Sequence, residues 1–313
     1  MYNYLQHDWK TDFANYIKPF IGEEKHLIWI PAAAWFVLHA FAVWFWTARP
    51  QYAAKIRQSL KESDAKKGRA RSDAFYEYRV SFDLPVKSVA FIHAIVSSIG
   101  AFWGIAHAPA VMDPYDQTYM FRVISGISAG YFFYDFVVST YDLDPPFIVH
   151  GLFSFIVYGH SIYPYYSYYG AMFLLFEVST IFLHPRWFLI NTGNTSTLAF
   201  SLSEKLFTAT FIGIRLLWGP YMSFLRFQPG CLHAVFSENA KVHSRFAAII
   251  FSLSNIILVM LNVFWIMQLL RSRMRRKNRE KSPSKEEPTE TTPLVRSPSK
   301  SDKGNAKKSQ KVE

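Results

Sequence analysis

Four ionisable residues, Asp135, His150, Glu177 and Arg215, sit deep inside long apolar runs. A charged group in hydrocarbon is costly, so such residues face a bundle interior and are functional candidates. His150 is the candidate catalytic group, because an imidazole can act as general base or as nucleophile. Asp135 or Glu177 would orient its ring. Arg215 needs a carboxylate partner, and the same two residues are the natural ones. Ser128, Tyr131, Asp135, Ser139 and Asp142 form one polar helical stripe, and Glu177, Thr180 and His184 share a face. Ser252, Asn255, Val259 and Asn262 line a third face, suited to hydrogen bonds between helices. The plainer alternative is that these groups neutralise one another and fix helix register.

The elements that carry them read as membrane helices. The chain has 313 residues, 50% hydrophobic and 18% aromatic. Its mean hydropathy is only +0.05, because long polar stretches offset long apolar ones. Runs of about 20 apolar residues without strand-like alternation exclude a large soluble core. The fold class expected is an all-α integral membrane protein with about seven crossings. Helix 1 spans about 27–46, with Trp29, Trp35, Trp44 and Trp46 as interfacial anchors. Helices 2 and 3 span about 86–105, with His93, and 118–140, with Arg122 near one end. Helices 4 and 5 span 145–163 and 165–183, joined almost without a loop, and helix 5 ends at His184-Pro185-Arg186. Helices 6 and 7 span about 204–225 and 246–270.

Residues 1–26 lack the apolar core of a signal peptide, so helix 1 is expected to target the chain. Phe13, Tyr16, Ile17 and Phe20 fall at helical spacing, fitting either an interfacial helix or a packed one. The connection at 47–87 carries ten Lys and Arg, and 70–80 within it is a candidate short helix. The tail from Arg271 holds fourteen Lys and Arg against six Asp and Glu, thus +8 of the net +11. Its composition predicts disorder and attraction to anionic lipid head groups. Without aromatic interleaving it is not expected to bind nucleic acid. Six crossings between the two basic segments return the chain to one side, so the N-terminus is expected in the lumen and the C-terminus in the cytoplasm. Cys231 is the single cysteine, which excludes an internal disulfide. Cys231, His233 and His243 fit no standard metal spacing, and neither metal nor cofactor is expected.

The pattern over about 84–270 resembles the TLC domain family, which includes ceramide synthases, translocon-associated membrane proteins and CLN-type proteins. The resemblance rests on His93-Ala94, on SAGYFFYDF with Gly130, Tyr131 and Asp135, and on Phe147-Ile148-Val149-His150. It rests further on EVSTIFLHPRWFL with Glu177, Ser179 and Thr180, and on Arg215 and Asn262. It implies a barrel of six helices, 2 to 7, with helix 1 outside. The domains are then 1–26, 27–46, the basic loop 47–83, the TLC domain 84–270 and the tail 271–313. The family's synthases carry a His-His pair where this chain has Val149-His150, so ceramide synthesis is not expected.

The function implied is membrane lipid homeostasis in the endoplasmic reticulum, with a lipid or acyl chain held inside the barrel. Tyr131, Asp135, His150, Glu177, Thr180, Arg215 and Asn262 would line that site. The partners implied are membrane lipids, including a sphingolipid or acyl-CoA. The alternatives are an acyltransferase using His150 with Asp135 and Glu177, and a translocon or cargo interaction protein acting through its tail.

Overall fold

The structure is a computed structural model and describes residues 8–65, 68, 71–107, 119–163, 166–237 and 244–281. Among these residues there is helix and no strand. The chain is an all-α membrane protein. Eleven α-helices follow in order: α1 (Trp9–Ile21), α2 (His26–Thr47), α3 (Pro50–Ala65), α4 (Asp73–Ala106), α5 (Tyr119–Asp142) and α6 (Pro145–His160), then α7 (Tyr166–Leu174), α8 (Glu177–Asn191), α9 (Leu198–Thr210), α10 (Gln228–Phe236) and α11 (Arg245–Lys281). Two π-helical stretches, Phe211–Trp218 and Tyr221–Phe227, carry the chain from α9 to α10.

Among the described residues, five helical stretches are long and apolar enough to cross a membrane: Trp9–Thr47, Asp73–Ala106, Tyr119–Asp142, Tyr166–Asn191 and Arg245–Arg271. They correspond to expected helices 1, 2, 3, 5 and 7. Expected helix 4 is α6, whose 16 residues reach about 24 Å. Expected helix 6 is a composite of α9 and the π-helical stretches, where Gly213 and Gly219-Pro220 loosen the backbone. Pro185 does not end helix 5: α8 runs through it to Asn191. The helix of α11 likewise continues through Lys281 rather than stopping at Leu270, since Arg, Lys and Met are good helix formers. Residues 108–118, 164–165 and 282–313 and His243, on which further expectations fall, lie outside the described residues.

Six segments close a ring. α4 packs on α5 and α5 on α6. α6 meets α11 where Trp265 lies 5.4 Å from the His150 ring. α11 meets the first π-helical stretch through Asn262 and Arg215. α8 packs on α9 and on α4, completing the circuit. α2 lies outside it, against α4 and α5. Small residues permit the close packing of α5 on α2 and of α6 on α5. A Cβ on Gly130 of α5 would stand 2.6 Å from the Ala32 backbone nitrogen, and one on Gly151 of α6 would stand 2.7 Å from that of Phe136. Trp35, expected as an interfacial anchor, is instead buried and donates from Nε1 to the Ile127 carbonyl at 3.1 Å.

The N-terminal helix is packed. Asp12 of α1 accepts hydrogen bonds from the backbone nitrogens of Arg245 (2.8 Å) and Phe246 (2.7 Å), capping α11. Ser244 adds its own cap, accepting from the Ala247 nitrogen at 3.0 Å. Tyr16 stacks on His160 at the end of α6. Arg122 at the head of α5 pairs with Glu24. At the opposite end of α4, the basic connection folds as α3 against α4. Lys61 reaches Asp73 at 2.6 Å, Arg57 pairs with Glu77, and Arg79 bridges Asp83 (3.0 Å) and Asp142 (2.6 Å).

Candidate functional site

Arg215 projects inward from the π-helical stretch into the ring. Its Nε donates to Ser179 Oγ at 2.8 Å, Nη1 to Asn262 Oδ1 at 2.9 Å and Nη2 to Thr180 Oγ1 at 3.2 Å. Nη2 also lies 3.8 Å from Glu177 Oε1, and both side chains are under a tenth exposed. The rings of Phe176, Phe211 and Trp265 surround the guanidinium at 5.7–5.9 Å, inside the range of cation–π attraction. A planar guanidinium with five donors suits this setting better than an ammonium, because it is weakly hydrated and stacks on rings. Three of its donors are engaged by neutral oxygens, so two N–H groups remain toward Glu177 and the cavity.

The cavity is about 30 Å³, room for roughly two waters. His150, Glu177, Arg215 and Asn262 line it, with Phe132 and Trp265 among its apolar walls. The break between α7 and α8 at Leu175–Phe176 starts α8 at Glu177, so the carboxylate sits in a first helical turn, where the helix dipole favours negative charge. His150 Nδ1 stands 3.5 Å from Ser154 Oγ, one turn along α6. The imidazole is otherwise framed edge-on by Phe132 (5.5 Å) and Trp265 (5.4 Å).

Among the expected site residues, His150, Glu177, Thr180, Arg215 and Asn262 come together. Asp135 and Tyr131 do not reach the cavity. Asp135 is buried on α5, and Tyr131 stacks on His93 instead, with ring centroids 3.7 Å apart. Arg215 takes Glu177 as its carboxylate rather than Asp135. Neither carboxylate hydrogen-bonds the His150 ring. His184 shares the face of Glu177 along α8 but not its contact with Arg215.

Residues 83–271 match the TLC domain. The chain belongs to the TLC domain family. Among its relatives is an uncharacterized TLC domain-containing protein of Saccharomyces cerevisiae, 33% identical over 46% of this chain and 46% of its own length. Another is an uncharacterized TLC domain-containing protein of Schizosaccharomyces pombe, 28% identical over 53% and 58%. TLC domain-containing protein 2 of Mus musculus is 32% identical over 43% and 46%. The chain thus spans about half the length of these curated relatives. No solved structure matches it. The cavity and every residue around Arg215 lie within the matched TLC segment.

Several residues of the TLC site carry no warning in the sequence. Phe132, Tyr158, Phe176 and Trp265 line the cavity, yet in a chain with 56 Phe, Tyr and Trp no ring stands out. Ser154 had one usable signal, its i+4 spacing from His150. Asn255 lay on the expected polar face of α11; in the structure it accepts from Gln228 Nε2 at 3.2 Å and also borders the cavity.

Proposed function

We propose that this TLC-domain protein holds the polar end of a membrane lipid inside its ring of helices, and through this acts in lipid homeostasis of the endoplasmic reticulum membrane. The observation that carries the reading is the caged Arg215–Glu177 pair opening on a cavity with His150. A structural ion pair needs no cavity beside it. Here a guanidinium, an imidazole and an asparagine border one small space. The space suits a head-group oxygen, while an acyl chain would extend along the apolar walls by displacing them. The net charge of the pair is zero, which favours an uncharged or zwitterionic head group over an anion. In this reading the basic connection and the basic segment after Leu270 face the cytoplasm, the N-terminus faces the lumen, and the tail contacts anionic lipid.

One observation favours acyl transfer as a second reading: His150 lines the cavity. Catalysis would require one carboxylate to move onto its ring.

The test is untargeted lipidomics of cells lacking the protein and then re-expressing wild type or His150→Ala. The expected result is a shift in one lipid class that wild type restores and His150→Ala does not. An unchanged lipidome on deletion, or full restoration by His150→Ala, would overturn the proposal.

A further inference from the structure

His93 of α4 is 0% exposed, and neither ring nitrogen has a hydrogen-bond partner among the described residues. Buried polar groups are nearly always satisfied, and one left bare is costly to the fold. The ring is nonetheless held firmly. It stacks on Tyr131 at 3.7 Å and 7°, and meets Trp35 and Phe132 edge-on at 5.6 and 5.3 Å. A phenyl ring would pack in this aromatic box without the cost of two bare nitrogens.

Phe132 is the partition. On one side it touches His93; on the other it lines the cavity and meets His150 at 5.5 Å. It also stacks on Tyr158 at 5.1 Å and 17°. Phe132 thus stands between His93 and the cavity of His150 and Arg215.

We propose that His93 is a second polar anchor of the site, reached when Phe132 moves, and that it binds an uncharged acyl lipid bearing a hydroxyl beside a carbonyl. This rests on the lipid-holding reading above. No carboxylate pairs with His93, so a neutral imidazole is the form suited to this apolar box. That form offers one N–H donor and one nitrogen acceptor. A hydroxyl donates to the acceptor and a carbonyl oxygen receives the donor, satisfying both at once. The ligand chemistry occurs with an ester carbonyl, as in a diacylglycerol, or with an amide carbonyl, as in an N-acyl amino alcohol.

The experiment uses the full chain in detergent, with binding followed by native mass spectrometry. The probes are dioleoylglycerol, an N-oleoyl amino alcohol, dioleoylphosphatidylcholine and oleic acid. The wild type is expected to prefer one of the first two, and which one identifies the carbonyl. His93→Phe is expected to weaken that binding about tenfold, from two lost neutral hydrogen bonds, with thermal stability unchanged or raised. His93→Gln, which keeps a donor and an acceptor, is expected to recover part of the affinity. Phe132→Ala is expected to strengthen binding. The inference fails if His93→Phe binds like wild type while His150→Phe loses the probe, a result that leaves the lipid-holding reading standing. It also fails if His93→Phe melts lower and His93→Gln restores nothing, which marks His93 as structural. If the wild type takes up none of the four probes, both fail.

Discussion

Arg215 concentrates the energetics of the site in one residue. Its need for a partner was legible from its depth in an apolar run, since an unpaired buried guanidinium is untenable. Which carboxylate it takes was not, because Asp135 and Glu177 both lie in apolar runs and the choice depends on how the helices pack. Breaking a buried pair from one side leaves a bare charge and costs about 3–5 kcal/mol, while removing both partners together costs much less. Arg215→Met and Glu177→Gln should therefore each melt well below wild type in detergent, and the double variant should recover most of the loss. Additive losses in that cycle would show that the 3.8 Å contact is not an interaction. Val149 bears on the chemistry directly. A valine can neither accept a proton nor stabilise an oxyanion, and general-base assistance contributes about 10²–10⁴-fold. Microsomes lacking other synthases, given a sphingoid base and acyl-CoA, should form no ceramide with this chain; ceramide that vanishes with His150→Ala would refute this.

At the scale of elements, periodicity located the apolar helices but not where they end or break. Pro185 read as a stop, yet α8 passes through it, as helices in membranes tolerate proline where neighbours satisfy the freed carbonyl. The π-helical stretch bearing Arg215 had only glycines as a sequence signal, and π-turns recur at functional sites. A packed α1 was one of the two expected readings, but its partner was hidden, because Asp12 acts on a helix more than 230 residues away. That cap makes a prediction. Asp12→Ala should cost about 1–2 kcal/mol and expose the N-terminal segment to limited proteolysis; unchanged cleavage and melting would show the cap to be idle. Between α5 and α6, Leu143 adopts φ 54°, a left-handed conformation that costs a branched residue about 1–2 kcal/mol. Leu143→Asn should raise the melting temperature, whereas a lower one would mean that the turn does not hold that conformation.

For the whole molecule, a ring of six helical segments with one helix outside follows from the TLC pattern, and the circuit of contacts from α4 round to α8 has that form. What the sequence could not convey is the size of the cavity beside Arg215. Cavity volume depends on side-chain packing, and here aromatic rings reduce it to about 30 Å³. In the proposed function this space takes the polar end of a lipid. The most direct measurement is quantitative mass spectrometry of lipids retained by the purified full chain after delipidating washes, comparing wild type with His150→Phe. One lipid class is expected to be retained near one per chain by the wild type and lost by the variant, with the remaining annular lipids unchanged. Identical retained lipids in the two proteins, reflecting only the bulk membrane, would contradict it.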